Sequence, residues 1–296
     1  MALGGAMQIL VNVFVLAALY SLICCGYVLI YRVSRVLNLA HGELMALGGY
    51  FLFTISAMFS HVPVPAFLVA LAMSLVLGVV IYFSLMRFMT GQSVLSAVLV
   101  TIALGILLRG LMTLIWTAKT WHPLELLGIR NASFNITKGG VISTFGIVAI
   151  AGAILLYLGL FLSFRFTRWG LRMRAVGENP LLASQRGVEL HRFYAISWGI
   201  AVLTGGFAGM VQACDSSLDP GMFIIGLKAF PVVLVGGLDS LAGVIPAALI
   251  VSLAEILAIN YVSPETAEVA PFFVLLCMLL IRPWGLLGTK EELDRV

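Results

Sequence analysis

Apolar residues fall along this chain in long blocks, at residues 7–31, 43–60, 65–86, 93–117, 140–164, 193–214, 222–238, 241–259 and 269–287. Most blocks can carry a helix across the roughly 30 Å of hydrocarbon in a bilayer, and none shows the alternation of an outer-membrane strand. The pattern predicts an all-α polytopic membrane protein, a single transmembrane domain over residues 1–296 with about 8–9 hydrophobic helical segments. The block at 222–238 is short and carries Lys228 and Pro231, so it reads as re-entrant or broken.

Two stretches interrupt the apolar pattern where a span should begin or end. Residues 35–50 read RVLNLAHGELMALGGY, with Asn38, His41, Gly42 and Glu43 in otherwise apolar surroundings. Residues 219–243 read DPGMFIIGLKAFPVVLVGGLDSLAG, with Gly236, Gly237 and Gly243 around Asp239 and Ser240. Irregular backbone at membrane depth is tolerated only against protein or a wet cavity, and paired broken segments point to a solute path. Asn38, His41, Glu43, Lys228, Gly236, Gly237 and Ser240 are the candidates for that path. Plainer roles compete: the polar trio can cap the following helix, with Glu43 at its positive end, and Lys228 can snorkel to an interface instead of attracting a solute carboxylate. Arg109 and Glu255 are the most deeply placed charges; they can pair, line a cavity or snorkel, and spacing alone does not bring them together.

The longest polar break, residues 165–192, is too structured for a simple connector. Asn179 can cap a helix through its side-chain oxygen, Pro180 suits the first helical position, and Gly187 can end the helix in a left-handed conformation. The signals predict a helix of about two turns, ~10 Å long. Six arginines (165, 168, 172, 174, 186 and 192) against Glu178 and Glu189 give the break a charge of +4 and assign it to the cytoplasm. If every block crosses and the N-terminus lies outside, twelve basic residues fall on the cytoplasmic side. Four, Lys119, Arg130, Lys138 and Lys228, fall outside, and only Arg109 lies within a span. The N-terminus is therefore expected on the periplasmic side and the C-terminus, with Lys290 and Arg295, in the cytoplasm.

Composition agrees with this picture. Hydrophobic residues make up 61% of the 296 and charged residues 10%, too little polar surface to cover a water-soluble globule. Positive-inside bias accounts for the net charge of +4, and no basic module interleaved with aromatics invites nucleic acid. Cys24, Cys25, Cys214 and Cys277 show no metal or disulfide spacing and read as small packing residues. No phosphate loop, GxSxG or HExxH is present, so the chain is expected to be no enzyme, to bind no cofactor or metal of its own, and to hydrolyse no ATP by that route.

In order along the chain, NLAHGELMALGGY (38–50), TIALG (101–105), RAVGENPLLASQRGV (174–188), LKAFPVVLVGGLDSLAG (227–243) and RPWGLLG (282–288) resemble the permease subunits of bacterial branched-chain amino acid ABC transporters, in their LivH-like branch. The resemblance covers almost the whole chain. One departure is Pro246, where the family usually places another glycine soon after Gly243. The resemblance implies a multi-pass inner-membrane importer assembled from this permease, a second related permease, two cytoplasmic ATPase subunits that use ATP, and a periplasmic solute-binding protein. It also implies that Arg174, Ala175, Gly177, Glu178, Asn179, Pro180, Ala183 and Gly187 form an ATPase-coupling element, with Ala183 at the contact. Branched-chain amino acids are the expected solute; urea or a short amide is the alternative within the class, and a secondary carrier the alternative outside it.

Overall fold

A computed structural model describes residues 2–137 and 139–289; Lys138, Lys290 and Arg295, which entered the charge count, lie outside the described residues. The nine apolar blocks all contain helices. In chain order they are α1 (Ala2–Ser34), α2 (His41–Met58), and α3 (Pro63–Ile81), which runs through a π-helical turn into the short α4 (Arg87–Met89). Then come α5 (Val94–Trp116), the short α6 (Pro123–Leu127), a hairpin of β1 (Ser133–Thr137) and β2 (Gly140–Ser143), and α7 (Thr144–Phe166). The polar break forms α8 (Arg168–Glu178) and α9 (Pro180–Gln185), followed by α10 (Leu190–Asp215), α11 (Phe223–Gly236), α12 (Leu241–Tyr261) and α13 (Thr266–Ile281). Among the described residues, six helices are long and apolar enough to cross a membrane by length and composition, and two shorter apolar helices accompany them. The chain is a multi-pass membrane protein.

Three expectations change. The block at 140–164 begins as a strand, because the Ser143 hydroxyl accepts the Gly146 amide at 2.9 Å and starts α7 there. The block at 222–238 is not broken at Pro231, although its helix is short, 14 residues, and not among those long enough to cross, and α12 likewise continues through Pro246. The polar break holds two helices, not one: α8 buries Gly170, Met173 and Val176, three apart, on one face.

The core is the pair α1 and α10, buried along most of their length, while α3, α5 and α7 bury only one side. Around that pair, α1–α2–α3 and α10–α11–α12 repeat one packing plan. Each short helix lies on the long helix of the other half, α2 on α10 and α11 on α1; α3 and α12 exchange in the same way, and α2 meets α11. Small residues make these approaches possible. Gly209 of α10 sits against the Met45 carbonyl of α2, where a Cβ would collide.

One end of the bundle is basic. Gly177 lies on the Arg32 backbone, the Arg32 guanidinium lies over Phe164, and His191 bonds Tyr82, so α1, α3, α7, α8 and α10 all reach it. The opposite end is closed by the hairpin. There Asp215 accepts Ser143 Oγ at 2.6 Å and Asn131 Nδ2 at 3.0 Å, and Trp121 bridges to Leu218.

Candidate functional site

The first break places the start of α2 inside the bundle. After Ser34 the chain turns at Arg35 (φ 54°) and runs without regular structure to Asn38. His41 then packs beside Gly26, eight residues short of the end of α1, which sets the start of α2 about 12 Å in from the basic end. Thr101 of α5 pins this stretch: its Oγ1 accepts the Leu39 amide and lies within 3.2 Å of the Leu37 carbonyl. The second break answers the first. Beyond Asp215 the chain dips inward, Asp219 caps the turn at Pro220–Met222 by accepting the Gly221 amide at 2.7 Å, and α11 begins at Phe223. The starts of the two short helices meet, Gly42 directly on Gly226, where a Cβ on Gly42 would stand 2.6 Å from the Phe223 carbonyl oxygen. Both helices present their positive ends to one place at mid-bundle.

The candidate path residues divide between this junction and other places. Asn38 is buried; its Oδ1 accepts the Ala40 amide at 3.2 Å and its Nδ2 has no partner among the described residues. His41 is a wedge between α1 and α10, its Nε2–H donating to the Ile23 carbonyl at 3.1 Å and its ring 4.5 Å from that of Tyr27. Glu43 is the member of this trio that reaches a cavity. Gly236, Gly237 and Ser240 lie at the far end of α11, about 20 Å along its axis. There Gly237 (φ +105) packs on Gly288, the Leu286 and Leu287 amides cap the carbonyls of Val235 and Gly236, and Ser240 caps α12 through the Gly243 amide at 3.0 Å. These three shape a backbone junction at the basic end.

The deep charges pair, but not with each other. Lys228 Nζ donates to Glu255 Oε1 at 2.9 Å, and Tyr20 donates its hydroxyl to Glu255 Oε2 at 2.6 Å. Both ionic side chains are enclosed, at 14% and 7% exposed, so Lys228 neither snorkels nor faces an outer mouth. Arg109 meets Glu43 instead, Nη2 to Oε1 at 2.5 Å, with its guanidinium carbon 3.5 Å above the Phe223 ring centre. This pair is open on the arginine side: the Arg109 side chain is 43% exposed, against 6% for Glu43. The pair borders a cavity of about 220 Å³ between α2, α5 and α11. Phe223 and Thr101 touch this junction although residue type alone did not mark them for it, and Thr101 opens the TIALG motif.

At the basic end the polar break folds as a two-helix corner. Asn179 ends α8, where its amide bonds the Ala175 carbonyl at 3.0 Å, and starts α9, where its Oδ1 accepts the Leu182 amide at 3.0 Å. Pro180 occupies the first turn, and Gly187 (φ +80) closes the end. Gly177 packs on Arg32, Arg174 is half-buried beside it, and Glu178 is exposed. The Ala183 side chain is packed inside this chain, so it does not present the contact expected of it; Leu181 and Leu182 are the exposed side chains of α9.

Residues 9–281 match the family model described as branched-chain amino acid transport system, permease component. Curated relatives agree over nearly full length. The high-affinity branched-chain amino acid transport system permease protein BraD of Pseudomonas aeruginosa is 28% identical, covering 98% of both chains. The LivH permease protein of Escherichia coli K12 is 27% identical over 98% of this chain and 97% of its own. A probable LivH permease of Methanocaldococcus jannaschii is 26% identical over 99% of this chain and 96% of its own.

Proposed function

The chain belongs to the family of branched-chain amino acid transport permease components, and from that premise we propose that it is the membrane subunit of an ATP-binding cassette importer. It works with a second related permease, two cytoplasmic ATPase subunits and a periplasmic solute-binding protein, and it moves branched-chain amino acids across a bacterial inner membrane. The observation that supports this reading is the two-helix corner at the basic end. With Lys228 counted inside the bundle, twelve basic residues against three (Lys119, Arg130 and Lys138) support placing that end, with the C-terminus, in the cytoplasm and the N-terminus in the periplasm. In this reading the force comes from another chain, and α9 offers Leu181 and Leu182 to it on a cap-fixed helix that leans on Arg32 through α8. Nucleotide-driven closure of the ATPases then tilts the permeases as rigid bodies between two access states.

The experiment is solute uptake by vesicles holding the co-expressed complex, with and without ATP. Leucine should accumulate only with ATP and the ATPase subunits present. Leu181→Asp together with Leu182→Asp should lower uptake at least tenfold and release the ATPase subunits from the purified complex. Accumulation driven by an ion gradient with no ATPase present would instead identify a secondary carrier.

A further inference from the structure

Among the described residues, two ion pairs lie inside the bundle, and they differ in what is left over. Glu255 has both carboxylate oxygens occupied, by Lys228 and by Tyr20, and the group is nearly enclosed. Arg109 and Glu43 are bound to each other through one Nη2–Oε1 contact. Arg109 Nε is buried with no partner among the described residues, and the guanidinium face rests on Phe223 while its edge borders the cavity. A guanidinium half-exposed at bundle depth is costly against hydrocarbon, so such groups face protein, a wet path or a bound partner.

The rest of the cavity wall is aliphatic, from Leu39, Ile102, Ile106 and Leu227. Its volume, about 220 Å³, exceeds the roughly 150 Å³ of an apolar cavity that accepts benzene. The starts of α2 and α11 converge on the same place and add positive potential.

We propose that Arg109 and Glu43 form a head-group site for a zwitterionic α-amino acid, with the cavity taking its aliphatic side chain. Arg109 and the two helix starts hold the carboxylate, and Glu43 holds the ammonium. Entry of the solute exchanges one ion pair for two, so no buried charge is left unpaired at any stage. The half-exposed side of Arg109 supplies the donors for a charge-assisted contact to a carboxylate. An uncharged solute such as urea or a short amide cannot make this exchange, and breaking the resting pair for it leaves two charges uncompensated. This inference rests on the reading of the chain as an amino acid importer and names the place where the permease itself meets the solute.

The test uses the complete complex in proteoliposomes, reading ATP-driven uptake of L-leucine beside ATP hydrolysis stimulated by the liganded binding protein. Arg109→Gln and Glu43→Gln should each lower leucine uptake at least tenfold while stimulated hydrolysis stays within twofold of the unaltered complex. The charge exchange Arg109→Glu with Glu43→Arg restores a salt bridge but sets a cation against the α2 start, and it should not restore uptake. Wild-type uptake in either single variant, or recovery in the exchange, would make the pair a structural tie and overturn the proposal. Should the glutamine variants fail to assemble, Arg109→Lys and Glu43→Asp keep the charges and move them; a severalfold loss of uptake is expected, and unchanged uptake overturns the site. If the unaltered complex takes up no leucine with ATP, the importer reading itself fails and the site with it.

Discussion

Lys228 and Glu255 show what a membrane charge does when it is enclosed and fully paired. Lys228 lies on α11 and Glu255 on α12, so their contact, with the Tyr20 hydroxyl closing the other oxygen, ties three helices at one point. Removing one partner strands the other in a nearly dry site, at a cost of about 3–5 kcal/mol, whereas replacing both with apolar side chains of similar volume is close to neutral. Lys228→Met should therefore lower the melting temperature of the purified permease in detergent, and Lys228→Met with Glu255→Leu should recover most of the loss. A single variant that melts with the wild type would contradict the tie. From the sequence, Arg109, Glu255, Glu43 and Lys228 are each legible as charges at depth, since such residues are costly there. Their pairing is not, because it depends on the rotation of α5 and on how far α2 starts inside the bundle, and an all-apolar helix face fixes neither.

At the scale of elements, close approach is the controlling feature. Gly209 on α10 faces the Met45 carbonyl of α2 with no room for a methyl, whereas Gly159 on α7 has nothing within 4 Å of where a Cβ would stand. Gly209→Ala should force α2 and α10 apart and sharply cut the yield of monodisperse protein in size-exclusion chromatography. Gly159→Ala should leave yield unchanged and, by relieving a helical glycine, stabilise by about 0.5–1 kcal/mol in a melting assay. Equal yields from the two would show that the approach is not tight. Helix existence was readable throughout because unbroken apolar blocks admit little else in a bilayer. The short helix α9 was readable from Asn179, Pro180 and Gly187, three residues with fixed backbone meanings. Missed were α8, whose arginines mask the Gly170, Met173, Val176 face, and the β hairpin, whose strands lie next to an apolar block of the same composition. Ala183 was misread for a related reason: residue type says small, and only packing says inward.

For the whole molecule, the repeated plan of the two halves explains why the breaks at 35–50 and 219–243 matter together. Each break lets a short helix start at depth, and because each short helix lies on the long helix of the other half, the two starts meet at Gly42 and Gly226. Sequence identity between the halves does not reveal this, since packing conserves small residues and burial, not particular side chains. The junction opens toward the face of α5 that carries Ile106, 66% exposed, whereas Leu155 on α7, 68% exposed, lies on an outer apolar side with no deep charge beside it. If the junction is the solute path, water reaches Ile106 and lipid covers Leu155. The direct measurement is thiol labelling in the complete complex in native vesicles: Ile106→Cys and Leu155→Cys, each in a Cys277→Ser background because Cys24, Cys25 and Cys214 are already buried, exposed to a membrane-impermeant charged reagent with and without ATP. Ile106→Cys should label at least tenfold faster than Leu155→Cys, with a rate that changes on adding ATP; equal, nucleotide-insensitive labelling at the two positions would contradict a path through the junction.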